Sequence, residues 1–480
     1  MFETFVPSRI IRPLVPHALN KRFGEQVEQA MDVADAVVAG KDEKAHSLRT
    51  ALITFSIRII SAFIAYVSQV LMARWLGVHE YGVFVWVWVA AVICGGLACF
   101  GFSSAVVKFV PQYRIKNDDP SVRGIVFGAR FFSFCSATLI ALLGVLGTYL
   151  FEDTVTSVYV LPLYLGAIVL PMLALAEVQD GIARSFSWVD LALSPTYLVR
   201  PILILAAMAA ALGWGMEATA ATALIATIGA TWFTSTLQLF VINRRLKKTV
   251  GPGTRKFSPS LWITVALPIF LVEGFFTLLT NIDIMIAGIY LEPKDVAIYF
   301  AAVKTLALVH FVYFAVKAGA AHRYSQYYTA GDTIQFEGFV YDTVRWTFWP
   351  SLAMGLFILA TGKFLLSLFG SEFVAGYPLL FILVAGIIAR ASVGPAESVL
   401  TMSGQQNTCA AVYGATLFVN IALNLMLIPT YGLYGAAWAT TAAMVFEALA
   451  LYAISLRTLG LHMFVFSATS SPVEKSGEAR

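Results

Sequence analysis

Twelve apolar stretches follow one another along this chain, at roughly 51–72, 83–105, 124–150, 157–176, 190–212, 218–242, 261–290, 296–316, 346–369, 375–400, 409–428 and 433–457. Each comes close to or exceeds the ~20 residues that a helix needs to cross a hydrocarbon core. The runs are continuous and rich in Ala and Leu, without the strict alternation of a membrane β-barrel. The pattern predicts an all-α integral membrane protein of twelve transmembrane helices. The seventh stretch is long enough to tilt or to project from the bilayer, and Pro268 within it is expected to bend the helix.

The two ends are different. In residues 1–50, Phe23, Val27, Met31, Ala34 and Val38 recur at helical spacing between charges. That N-terminal arm reads either as a helix lying on the membrane surface or as a loosely structured cytoplasmic segment. The tail, 459–480, is polar and is expected to lack regular structure.

Charge gives the stretches a direction. Of 32 Lys and Arg, 24 fall in the termini and the alternate loops of one side, and only Arg74 and Lys294 on the other. Basic loops stay in the cytoplasm, so both termini are expected there, as suits an even number of spans. The densest cluster, Arg244, Arg245, Lys247, Lys248, Arg255 and Lys256, surrounds Gly251-Pro252-Gly253. We read 244–260 as a linker between an N-lobe (51–243) and a C-lobe (261–458). Glu80-Tyr81-Gly82-Val83-Phe84 after span one lies over Asp295-Val296-Ala297-Ile298-Tyr299 after span seven. A repeat of six spans keeps its orientation, which predicts two six-helix lobes related by a pseudo-two-fold axis along the membrane normal. Gly124-x-x-x-Gly128 reads as a close-packing motif within the fold.

Composition narrows the function. With 59% hydrophobic and 12% charged residues the chain is far from a water-soluble fold, and a net charge of +4 is too small to point to nucleic acid. Cys94, Cys99, Cys135 and Cys409 sit in apolar runs at no metal-binding spacing. There is no phosphate-cradling loop, no His-Glu-x-x-His pair and no nucleophile elbow, so neither an enzyme nor a cofactor is indicated. A membrane polymerase or ligase of glycan synthesis would be expected to carry a large loop on the side poor in basic residues, and every such loop is short.

Charges inside spans are costly and mark pathways, partners or cavities. Arg58, Arg130 and Arg200 lie in spans one, three and five, and no acid sits in the middle of an N-half span by this division. They suggest a cationic cavity for an anion, since guanidinium binds phosphate oxygens in pairs. The C-half is mixed, with Lys304 and Arg390 among Glu273, Asp283, Glu397 and Glu447. These acids either couple transport to H⁺ or Na⁺ or act as structural partners of Lys304 and Arg390. Seven residues apart, Arg390 and Glu397 would share one helix face.

Several segments together resemble the Wzx-type polysaccharide flippases of the multidrug/oligosaccharidyl-lipid/polysaccharide (MOP) superfamily. They are Arg74-Trp-Leu-Gly-Val-His-Glu-Tyr-Gly-Val-Phe84, Asp283-Ile-Met-Ile-Ala-Gly-Ile-Tyr290 with Asp295-Val-Ala-Ile-Tyr-Phe-Ala-Ala-Val-Lys304, and Leu427-Ile-Pro-Thr-Tyr-Gly-Leu-Tyr-Gly-Ala-Ala-Trp-Ala439. The resemblance implies two lobes around a central cavity, as in multidrug exporters of the superfamily. It implies transfer of an undecaprenyl-pyrophosphate-linked oligosaccharide across the bacterial inner membrane, by ion-coupled alternating access, for exopolysaccharide synthesis. Membrane lipids and the polysaccharide polymerase and chain-length proteins would be its partners. Lipid II-type flippases share an arginine-bearing N-lobe but usually add two C-terminal spans.

Overall fold

The structure, a computed structural model, describes residues 43–467 apart from 154, 155 and 332, with side chains from Ile60 onward save six positions between 311 and 322. The N-terminal arm up to residue 42 and the tail beyond 467 lie outside the described residues. Met1–Ala65 and Tyr66–Arg480 are two compact units. What is described of the first is helical. The second carries the rest of the fold.

The helices are α1 (Glu43–Ala98), α2 (Phe102–Ile115), α3 (Asp119–Leu150), α4 (Ser157–Ser185), α5 (Val189–Ser194), α6 (Arg200–Gly213), α7 (Ala220–Thr249), α8 (Pro259–Leu279), α9 (Ile282–Tyr290), α10 (Pro293–Ala330), α11 (Thr333–Ser367), α12 (Tyr377–Ala391), α13 (Ala396–Met402), α14 (Gln406–Tyr431) and α15 (Leu433–Leu459). Among the described residues 11 helical segments are long and apolar enough to span a bilayer, and the first, Ile60–Ile115, holds two of the twelve predicted spans. The break between those two is a single residue, Gly77, at φ +75° inside α1, a conformation that costs glycine little. The corresponding C-half break, between α9 and α10, uses extended Leu291 and Glu292 instead.

Local chemistry explains several boundaries. Asp118 caps α3 by accepting from the Ser121 amide at 3.2 Å, with Pro120 in the first turn. Thr219 caps α7 through the Thr222 amide, and Glu80 Oε2 accepts from the Ala220 amide at 2.7 Å, adding a carboxylate where the helix dipole favours one. The basic residues 244–248 belong to the last turns of α7, so the non-helical linker is shorter than predicted and begins near Val250.

Pro268 sits inside α8 as expected of the seventh span, and that span also breaks further on, at Thr280–Asn281. Thr280 Oγ1 and Asn281 Nδ2 donate back to the carbonyls of Phe276 and Thr277 and so compete with continuation of the helix. Arg390 and Glu397 do not share a helix. Gly394 at φ +61° followed by Pro395 ends α12 and starts α13 between them.

Within the second unit the N-half packs α3 on α4, α4 on α7 and α6 on α7, and the C-half packs α14 on α15, α10 on α11 and α12 on α15. Helix α8 bridges the halves. Phe100 stacks on Phe270 at 5.1 Å and Trp262 Nε1 donates to Tyr113 Oη, while Phe276 meets Tyr413 of α14 edge-on. Gly124 lies against the backbone of Lys256 and Gly128 against the Trp262 ring, so the predicted close-packing motif seats the linker and α8.

Candidate functional site

On the side poor in basic residues the two halves meet tightly. Arg74 donates through Nε to the Leu368 carbonyl at 2.6 Å and through Nη2 to that of Ser367, at the end of α11. Trp86 Nε1 donates to the Met285 carbonyl at 3.1 Å. Tyr81 is fully buried and meets Phe300 and Phe373 edge-on at 6.2 and 6.0 Å. Gly82 approaches the Pro293 carbonyl so closely that a Cβ there would fall 1.8 Å from its oxygen. One hydrophobic cluster runs through this seal, with Tyr81 and Phe84 from the N-half and Phe300 and Phe373 from the C-half.

Beyond the seal, toward the basic side, the ionisable side chains fall into three sets. The first is neutralised. Arg390 pairs with Glu447 at 2.9 Å through Nε and Nη2, and its guanidinium lies 4.6 Å from the centre of the Tyr313 ring. Lys317 pairs with buried Glu397 at 3.1 Å. Both pairs tie helices of the C-half together: α12 to α15, and α10 to α13.

A second set consists of acids held by neutral donors. Asp283 is buried and accepts from Tyr299 Oη at 2.7 Å, Thr440 Oγ1 at 3.3 Å and the Ile284 amide at 2.9 Å. Glu273 accepts from Ser104 across the contact of α8 with α2. Asp180 belongs here too, in the last turns of α4 and beyond the expected end of the fourth span at 176. Its span extends to Ser185, and Asp180 is buried, taking bonds from Thr196 Oγ1 at 2.9 Å and Gln238 Nε2 at 2.7 Å. The sequence signal was available: Val178, Ile182 and Ala183 carry the apolar pattern past the acid, and all three are buried.

The third set is the unpaired cations. Arg200 lies over the Trp88 ring at 5.7 Å and Lys304 over the Phe300 ring at 4.8 Å. Among the described residues neither has a carboxylate at ion-pair distance. At 1.5 Å per residue, Lys304 is about 16 Å along α10 from Pro293, and Arg200 about 20 Å along α6 from Gly213, both counted from the sealed side. Each half therefore contributes one cation near mid-depth of an about 30 Å core. Each rests on an aromatic ring that belongs to, or packs against, the cluster forming the seal. Such a ring attracts a cation without neutralising it.

Of the other three predicted cations, Arg390 belongs to the neutralised set. Arg58 lies on the helical backbone of the first unit, and its side chain is outside the described residues. Arg130 donates to Asn243 Oδ1 at 2.7 Å and lines a separate cavity between α3 and α7.

Residues 47–321 match the family model described as polysaccharide biosynthesis protein, and residues 268–426 match the MatE model. Three solved structures are similar along most of their length. An inward-facing multidrug resistance MATE family transporter of the MOP superfamily has TM-score 0.65 at 15% identity, over 85% of this chain and 94% of that one. The lipid II flippase MurJ in an inward closed conformation has TM-score 0.66 at 16% identity, over 85% and 88%. A MATE structure in the bent conformation has TM-score 0.61 at 15% identity, over 87% and 95%. No curated protein sequence matches the chain. The fold is the all-α, two-lobe membrane fold those structures share.

Proposed function

The chain belongs to the polysaccharide biosynthesis protein family, and on that premise we propose that it flips a lipid-linked glycan, an undecaprenyl-pyrophosphate-linked oligosaccharide unit, across the bacterial inner membrane. The observation that carries this reading is the pair of unpaired cations at mid-depth, Arg200 from one half and Lys304 from the other, beneath a seal between the halves. A pyrophosphate carries the charge such groups would attract, and guanidinium and ammonium both donate to its oxygens. Opening the seal while closing the basic side would expose the same cations to the opposite leaflet. That is alternating access with no covalent step. Arg58 is a further candidate cation on the grounds of the sequence alone. Glu273, bonded across the halves to Ser104, is the acid best situated to couple H⁺ or Na⁺ to the change.

A lipid II-type substrate is the alternative with the same headgroup chemistry. The experiment is a gene deletion, followed by mass spectrometry of undecaprenyl-linked species with leaflet assigned by periplasmic glycosidase access. A complete oligosaccharide unit held on the cytoplasmic side supports the proposal and names the sugars. Accumulated lipid II supports the alternative, and complete units that reach the periplasm unpolymerised would overturn flipping in favour of a polymerase or ligase role.

A further inference from the structure

A second cationic feature lies away from the contact between the halves. Between the start of α3 and the end of α7, with Leu175 of α4 against it and residues 250–255 along one edge, is a cavity of about 900 Å³. Its walls are of two kinds. Phe127, Phe131, Phe134 and Phe240 are all partly or largely exposed on the flank of helices that span the bilayer. Five cations, Arg123, Arg130, Arg244, Lys247 and Arg255, line the same cavity, and no acidic residue lines it.

The cations differ in how they are committed. Arg123 is spent on the fold, donating to the carbonyls of Thr254, Val250 and Gly251 and so holding the linker in place. Arg255 lies 4.1 Å from the centre of the Phe127 ring, which holds it at the cavity without neutralising it. Arg244 and Lys247 are exposed at the rim. Arg130 has one nitrogen on Asn243, whereas its Nε and Nη2 are closed from solvent with no hydrogen-bond partner. A guanidinium left so is costly unless an acceptor reaches it.

Depth identifies the acceptor. Helix α3 has 32 residues, about 48 Å at 1.5 Å per residue against an about 30 Å core. Its far end is strongly apolar and exposed at Leu139, Leu142, Leu143, Leu146, Leu150 and Phe151. The excess length therefore falls at its start, and Arg130, about 16 Å along, comes to the boundary between hydrocarbon and headgroups on the basic side.

We propose that this cavity is a binding site for an anionic phospholipid of the adjacent leaflet. Its phosphate would lie between Arg130 and the rim cations and its acyl chains along the phenylalanine rings. A basic pocket between spanning helices on this side has the charge and the apolar wall that such a headgroup needs. Because it stands on the α3–α7 flank, the inference does not rest on which substrate passes between the halves.

The test uses the full chain in nanodiscs of phosphatidylcholine, titrated with phosphatidylglycerol and read by native mass spectrometry. Phosphatidylglycerol is expected to bind in preference to phosphatidylcholine. Arg130→Gln is expected to weaken that binding about 10-fold, and Arg244→Gln or Lys247→Gln about 5-fold each, while Lys363→Gln in the C-half leaves it unchanged. The rim variants keep the test decisive if Arg130→Gln fails to fold, since their side chains are exposed. Equal binding of the two lipids, or phosphatidylglycerol binding untouched by the rim variants, would overturn the proposal. So would displacement by inorganic phosphate alone at matching concentration, which would mean a free-anion site. Displacement by undecaprenyl phosphate at far lower concentration would also overturn it, in favour of a carrier-lipid site.

Discussion

The two halves differ in how they hold the cations inside their spanning segments. In the C-half, Arg390 and Lys317 have carboxylate partners, Glu447 and Glu397. In the N-half, Arg200 has an aromatic ring, with Glu177 and Asp180 acting on it from beyond ion-pair distance, and Arg130 has an amide oxygen, while Asp180 takes its hydrogen bonds from Thr196 and Gln238. Lys304 is the C-half cation that follows the N-half pattern, and it sits at the face that joins the halves. The difference separates charges that hold helices together from charges kept available. A paired charge in a spanning segment is explained by its partner. An unpaired one needs another reason to be there.

The largest expected effect tests the first group. Glu447→Gln leaves Arg390 buried without its partner and should lower stability by about 3–5 kcal/mol, seen as a fall in detergent-solubilised melting temperature. Arg390→Met with Glu447→Leu should recover most of that loss. If the single change leaves melting unaltered, the distinction between structural and available charges fails. Next come the available cations. Arg200→Gln should cut transport about 10- to 100-fold, the range set by one charged hydrogen bond, with melting little changed. The split between flux and stability is the informative readout.

The seal gives the third and fourth effects. Gly82→Ala forces a methyl onto the Pro293 carbonyl, an overpacking that should cost about 1–3 kcal/mol. It should push the halves apart on the sealed side, which labelling of a cysteine placed at Val83 from the side poor in basic residues would detect. Arg74→Gln should be milder, under about 1 kcal/mol, because the group is exposed. A small rise in the same labelling is expected, and a larger effect than Gly82→Ala would place the seal's strength in its charges and not in its close packing.

Much of this was legible in the chain. Apolar run length located the spans because backbone groups in a bilayer must bond within the helix, and only Gly77 concealed that two spans share α1. The repeat at Glu80–Phe84 and Asp295–Tyr299 marked the segments that build the seal. The breaks were harder to read. In span seven the side chains of Thr280 and Asn281 end α8, and neither is apolar enough or rare enough to stand out beforehand. Asp180 was missed because an acid ended the count of apolar residues, although the helix tolerates it once Thr196 and Gln238 supply donors from neighbouring segments. Those donors lie 16 and 58 positions away, so only the fold reveals them. For the same reason the sequence grouped Arg130 with Arg200, and the packing of α3 against α7 separates them.

The central claim is that Lys304 and Arg200 are left unpaired in order to meet an anionic headgroup. The most direct test is the initial rate at which reconstituted protein transfers a lipid-linked oligosaccharide between leaflets, compared for Lys304, Lys304→Arg and Lys304→Gln at equal protein incorporation. The arginine variant is expected to retain much of the rate and the glutamine variant to lose about 10-fold or more. A glutamine variant that transfers at the unaltered rate would contradict it.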